Sequence, residues 1–224
     1  MKTAFVFGAS GEIGDAIVKK FKQEDYEIVG FSRNSIPDSL FSLKDLTEIA
    51  DRFSKADCVV WASGANLNDS IENYNESNLK ELLDANLFYI TRSLSELQKE
   101  NLLSDNCRLV IISSVWQGFS KQNKFSYTVS KSALSGLIHS LTADLSPRGI
   151  SVNGVLPGVV DTNMTRAALN AEQIDRITSQ TPSKSLVSLD SVAQLVYFLS
   201  SSQSQGINGQ SIVIDGGWSV VRYV

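Results

Sequence analysis

Tyr127 and Lys131 stand four residues apart in Tyr127-Thr128-Val129-Ser130-Lys131, at the head of a segment whose Leu134, Leu137, Ile138 and Leu141 carry helical spacing. On a helix that interval puts both side chains on one face. A phenol ionises at about pH 10, too high for proton exchange at neutrality. A neighbouring ammonium favours the phenolate, so Lys131 is expected to draw the Tyr127 pKa down toward the working range. The pair would then serve as a general acid/base for a carbonyl or alcohol oxygen. Upstream, the apolar run Leu109-Val110-Ile111-Ile112 ends in Ser113-Ser114. A strand ending there would hold Ser114 at the edge where open α/β sheets bind ligands, able to hydrogen-bond a substrate oxygen.

A second constellation lies near the N-terminus. Thr3–Phe7 reads as a strand and runs into Gly8-Ala9-Ser10-Gly11-Glu12-Ile13-Gly14, which opens a helix. Residues without bulk let backbone N–H groups approach a pyrophosphate, and the helix N-terminus adds partial positive charge. Gly8, Ser10, Gly11, Glu12, Ile13 and Gly14 are therefore the expected phosphate cradle. After the next strand, Phe31-Ser32-Arg33-Asn34 offers no carboxylate for a ribose 2′-hydroxyl. Arg33 suits a 2′-phosphate instead, with Ser32 or Asn34 assisting, which favours NADP(H) over NAD(H).

The elements that must position these groups alternate. Short apolar runs at Thr3–Phe7, Glu27–Phe31, Cys58–Ala62, Arg108–Ser113, Ser151–Leu156 and Ser211–Ile214 lack polar alternation, as parallel strands covered on both faces do. Between them, Ile13/Ile17/Val18/Phe21, Leu79/Leu82/Leu83/Phe88/Ile90 and Val192/Leu195/Val196/Leu199 mark further one-sided helices. The expectation is α/β: one Rossmann-type doubly wound parallel sheet over residues 1–224, with helices on both faces. A strand is expected to resume near Leu40, reached by an extended return through Pro37 rather than a crossover helix. Residues 162–187 form a polar, helix-prone stretch, a substrate flap or a plain surface excursion.

Composition narrows the function classes. Twenty basic against 24 acidic side chains, with no basic cluster, argue against nucleic acid. No apolar run approaches the roughly 20 residues needed to span a bilayer, and Lys2 leads straight into a strand-like run without a signal-peptide pattern. Cys58 and Cys107 read as two buried free thiols, which suits the cytoplasm. His139 has no Cys or His company, so no metal is expected, and it reads as a structural residue in its helix.

With these residues in place, the chain resembles the short-chain dehydrogenase/reductase family over essentially its whole length, 3-oxoacyl-thioester reductases among its members. Tyr127 follows Ser114 by 13 residues, the family's usual separation. Asn86 in Asp84-Ala85-Asn86-Leu87 matches the family's fourth catalytic residue, which kinks a helix and holds a water of the proton path. Asn153 through Thr162 matches the stretch along the nicotinamide, implying cofactor contacts from Pro157, Gly158, Val160 and Thr162. Ile207–Gln210 and Val213–Gly217 match the last strand and its approach. The resemblance implies that Tyr127 exchanges the proton, that Lys131 lowers its pKa and holds the nicotinamide ribose, and that Ser114 positions the reacting oxygen. It also implies a small-molecule carbonyl or alcohol substrate and a homodimer or homotetramer built on helices containing Leu79–Leu97 and Ala133–Ala143.

Three departures stand out. Phe7 precedes the first glycine, and the glycines fall at the first, fourth and seventh places. The usual Asn-Asn-Ala-Gly appears as Ala62-Ser63-Gly64-Ala65, leaving Ser63 and Gly64 beside the adenosine ribose. The adenine-contacting aspartate aligns with Ser42, with Asp45 as a substitute. Trp116 is expected at the substrate mouth or in packing, and Trp61 and Trp218 in core or interface. A dinucleotide-binding sensor or scaffold without turnover is the competing reading; the Asn86/Ser114/Tyr127/Lys131 set speaks against it, since a sensor needs no tuned phenol.

Overall fold

In β1 (Lys2–Phe7), Phe5 and Phe7 join one apolar cluster and Ala4 and Val6 another, and all four are fully buried. A strand buried on both faces needs layers on both sides of its sheet. The computed structural model, which describes residues 1–32 and 40–221, supplies them. After β1 come α1 (Glu12–Gln23), β2 (Tyr26–Phe31), α2 (Leu46–Arg52), β3 (Ala56–Trp61), α3 (Glu76–Leu83), α4 (Tyr89–Lys99) and β4 (Leu103–Ile112). Then follow α5 (Phe125–Leu145), β5 (Ser151–Pro157), α6 (Asn163–Ala168), α7 (Ala171–Gln180), α8 (Leu189–Ser200) and β6 (Ser211–Ile214). The sheet order is β2-β1-β3-β4-β5-β6, parallel throughout. One cluster gathers Phe7, Trp61, Leu94, Leu134 and Ile138 under α4 and α5; the other gathers Val6, Ile17, Phe21, Val192 and Val196 under α1 and α8.

The chain leaves β1 toward β2 and later returns to β3 on the other side of β1. That reversal opens a crevice beyond the carboxyl ends of β1 and β3, the place where such sheets bind ligands. Just below it, Phe7 stacks on Phe31 at 4.2 Å and on Trp61 at 5.6 Å between ring centres, with the Trp61 indole donating to Ser93 Oγ at 2.8 Å.

Three expectations are corrected. The strand near Leu40 is a single bridge: Phe41 pairs with Phe31, its amide donating to Gly30 O at 2.8 Å. It stops because Ser42 and Asp45 form a reciprocal capping box that starts a helical turn leading into α2, an unforeseen crossover helix. Asp45 is thereby engaged by Ser42 N and Oγ, at 2.6 and 2.9 Å, so its carboxylate caps this turn. The helix expected around Leu79–Ile90 is interrupted by a π-helical turn, Asp84–Phe88, that contains Asn86. His139 lies exposed on α5 and packs no core. Arg33, Asn34 and the return through Pro37 lie outside the described residues. Cys58 and Cys107 are free and buried. Among the described residues, no helix is long and apolar enough to cross a membrane and no cluster of three metal-ligating side chains occurs.

Candidate active site

The end of β4 and the first turns of α5 converge on one hydroxyl pair. Ser114 is extended and caps a short turn at Val115–Gln117, its Oγ accepting the Trp116 amide at 3.3 Å. The same hydroxyl acts on the Tyr127 phenol and favours the phenolate. A loop remote in sequence fixes the start of α5. Buried Asp69 accepts from Ser126 N at 2.9 Å and Ser126 Oγ at 2.5 Å, and its carbonyl accepts the Phe125 amide at 3.2 Å. Lys131, one turn beyond Tyr127, is 4% exposed and places Nζ 5.9 Å from the Tyr127 ring centre.

Charge in this pocket runs against one expectation. Burial holds the Tyr127 phenol above its ordinary value, and Ser114, not Lys131, is the group that pulls it back. Lys131 is itself depressed to about 8 by burial. Removing a phenolate from water outweighs an ammonium that is desolvated too.

Asn86 is held from both ends. Its Oδ1 accepts the Ala65 amide at 2.8 Å, while Nδ2 donates to Ala65 O at 3.0 Å and to Ser130 Oγ at 3.0 Å. Ser130 Oγ in turn donates to Tyr127 O at 2.8 Å. The π-turn thus ties the loop after β3 to the helix carrying the phenol. Ser126, Ser130, Ala65 and Asp69 were not found from sequence, because their partners lie in distant segments and leave no local signature.

The first turn fits a pyrophosphate. Gly8 has φ +83°, and a Cβ there would stand 2.6 Å from Ser63 N; on Gly14 it would stand 2.1 Å from Gly8 O. α1 begins at Gly11 without a side-chain cap, so the amides of Glu12, Ile13 and Gly14 lie in a first turn that lacks intrahelical partners. Ser10 Oγ lies 3.3 Å from Ser32 Oγ below the same turn. Ser63 Oγ is buried and finds no partner among the described residues. A Cβ on Gly64 would lie 3.0 Å from Asn86 Oδ1 and 3.6 Å from Lys131 Nζ, so the loop after β3 meets the Lys131 amine. Among the described residues Lys131 Nζ makes one hydrogen bond, to Ile112 O at 3.3 Å, leaving two hydrogens for ribose hydroxyls.

Across the crevice, Pro157 ends β5 and the Gly158 amide donates to Ile214 O at 2.9 Å. Val160 is buried and bridges Val187, and Thr162 caps α6. Residues 162–187 therefore fold as α6 and α7 with a return strand-like contact. Glu12 does not face the cradle alone: its carboxylate accepts the Asn163 amide at 3.0 Å. Beside Ser114 a small crevice is walled by Val115, Trp116, Ile177, Leu186, Val187 and Trp218. Trp116 meets Trp218 edge to face at 5.6 Å, so it both packs and lines the mouth.

A doubly wound sheet, a glycine turn under a bare helix end and a gathered Ser/Tyr/Lys group define a Rossmann-type nicotinamide-dinucleotide site for oxidoreduction. The family model described as enoyl-(acyl carrier protein) reductase matches residues 42–219. The 3-oxoacyl-(acyl-carrier-protein) reductase FabG of Rickettsia bellii is 28% identical, with 98% of each chain covered. A short-chain dehydrogenase family protein from Francisella tularensis has TM-score 0.86 at 26% identity, covering 99% of this chain and 100% of that one. Ligand-free aldohexose dehydrogenase from Thermoplasma acidophilum reaches TM-score 0.90 at 23% identity, covering 100% and 96%, a likeness of fold. The chain belongs to the short-chain dehydrogenase/reductase family and is an oxidoreductase acting on CH–OH or carbonyl groups of small molecules.

Proposed function

We propose that this protein is an NADP(H)-dependent carbonyl reductase in which Tyr127 is the general acid/base. The observation that carries the reading is the gathering of Ser114, Tyr127 and buried Lys131 at the end of β4, with Lys131 Nζ at 5.9 Å from the phenol ring, beside a cradle suited to a dinucleotide. The amides of Glu12, Ile13 and Gly14 would hold the pyrophosphate, Ser63 and Gly64 the adenosine side, Lys131 the nicotinamide ribose, and Pro157, Gly158, Val160 and Thr162 the nicotinamide. When bound, the cofactor supplies the hydride that reduces the carbonyl carbon. Ser114 orients the carbonyl oxygen, and Tyr127 gives that oxygen its proton. Lys131 keeps positive charge beside the phenolate that remains, and Asn86 fixes the loop and helix that hold both groups. The reverse sequence oxidises an alcohol.

Arg33, with Ser32 and Asn34, supports NADP(H), since the segment offers no carboxylate to the ribose. The apolar, tryptophan-walled crevice and the FabG relatives support a 3-oxoacyl thioester or similar apolar carbonyl over a sugar. Exposed Phe88 and Val129 support self-association through the helices that carry Leu79–Leu97 and Ala133–Ala143. Two buried free thiols suit a cytoplasmic setting.

The test follows NADPH and NADH at the nicotinamide absorbance with 3-oxoacyl thioesters, neutral ketones and aldoses. NADPH with an apolar carbonyl is expected to be preferred, and Arg33→Ala to erase the preference for NADPH. Tyr127→Phe should abolish nearly all turnover while retaining cofactor affinity. Unchanged behaviour of Tyr127→Phe would point to the sensor reading instead.

A further inference from the structure

Lys124 is a cation in a place that physical chemistry disfavours. It is the N-cap residue of α5, where the helix dipole repels positive charge. It is also only 8% exposed, and among the described residues it makes no salt bridge. Its Nζ is held by neutral groups, Asn66 Oδ1 at 2.6 Å and Leu67 O at 3.5 Å. A clamp between that loop and α5 would need only a neutral donor. What the charge gains is the Tyr127 ring, whose centre lies 5.2 Å from Nζ, closer than that of Lys131 at 5.9 Å.

We infer that Lys124 is a positioning residue for proton transfer, holding a second positive charge against the Tyr127 ring one turn before it, as Lys131 does one turn after. The inference rests on Tyr127 being the acid/base. A cation at the ring face favours phenolate over phenol. Burial pushes the Tyr127 phenol the other way and Lys131 does not offset it, so the phenolate needs further positive charge at its ring. The other groups around this pair are few. Ser114 favours the phenolate, and Lys121, on the loop after β4, repels Lys124. Asp69, on the loop after β3, attracts Lys124 weakly, its oxygens being taken by Ser126. Lys124 stays below its ordinary lysine value mainly through burial.

The test is the pH profile of kcat/KM for alcohol oxidation. Charges about 6 Å apart at an effective dielectric of about 20 can move a pKa by up to roughly two pH units, and solvent at the mouth leaves about one. Lys124→Met should therefore move the ionisation governing oxidation up by about one pH unit, with cofactor KM unchanged, and Lys124→Arg should restore it. Asn66→Asp sets a carboxylate on Nζ, neutralising the charge without removing the lysine, and should give the same upward shift even if Lys124→Met fails to fold. An unmoved profile in Asn66→Asp or in folded Lys124→Met overturns the inference, as does an equal shift in Lys124→Arg. Turnover retained by Tyr127→Phe overturns the functional reading as well, whereas a dead Tyr127→Phe beside an unmoved Lys124→Met profile removes only the role of Lys124.

Discussion

Glu12 accepts a hydrogen bond from the backbone amide of Asn163 at 3.0 Å, across 151 residues of sequence. Glu12 is the first residue of α1 and Asn163 the first of α6, so one carboxylate lies between two helix N-termini. Each end favours negative charge, which gives the phosphate turn a hold on the segment over the crevice. Glu12→Ala should free that segment: proteolytic cleavage within residues 163–187 is expected to accelerate several-fold. Glu12→Gln, which keeps an acceptor oxygen, should change it less. Equal digestion of Glu12→Ala and the parent chain would dismiss this hold.

Glycine is required at two places in the cradle for different reasons. At Gly8, φ of +83° disfavours any side chain and a Cβ would strike the Ser63 amide at 2.6 Å. At Gly14 the backbone angle is ordinary, but a Cβ would lie 2.1 Å from Gly8 O, so the turn would have to spread. Gly14→Ala should weaken cofactor binding by at least tenfold, measured by titration of nicotinamide fluorescence. Near-parental affinity would show that the turn yields more easily than its packing implies.

Ser114 is the group opposing the upward push of burial on Tyr127. Ser114→Ala should lower kcat by about 100-fold, the scale of losing one aimed donor at a reacting oxygen. The Tyr127 pKa should rise further, moving the acidic limb of alcohol oxidation toward higher pH. A variant with full kcat would remove Ser114 from the mechanism.

Much of this arrangement is legible in the chain because it is local. Tyr127 and Lys131 share a face by spacing alone, the glycines sit between a strand and a helix, and Ser114 ends an apolar run. The strands were legible because burial on both faces leaves unbroken apolar runs, as in Phe5–Phe7. Illegible parts depend on partners far away. The π-turn at Asn86 answers Ala65 and Ser130, and Asp69 caps a helix that begins 56 residues later. Asp45 shows the converse: its capping box with Ser42 is a helix-start signal that Ser42-Leu43-Lys44-Asp45 carries locally. The sign of the Tyr127 shift was missed because spacing reports the neighbouring ammonium and not the burial of both groups.

Lys131 sets stability against function. Burial lowers its pKa to about 8 from an ordinary 10.5, so between those values the unfolded chain binds more protons than the folded one. The associated stability is therefore fully present above about 10.5 and lost as pH falls through about 8. At neutral pH the folded protein carries the whole penalty, roughly 3 kcal/mol as an order of magnitude. Lys131→Met, similar in length and uncharged, should be more stable than the parent at pH 7 by up to that amount, and the advantage should shrink between pH 8 and 10.5. The difference between the two proteins is the quantity to follow, because the buried thiols Cys58 and Cys107 and the phenols Tyr26 and Tyr127, all raised by burial, act oppositely in that range in both. Turnover should collapse in the same variant, since no ammonium remains beside the phenol. Urea unfolding of both proteins at pH 7 and pH 10 decides it: a pH-independent difference would mean that Lys131 is not held with a depressed pKa in the folded chain.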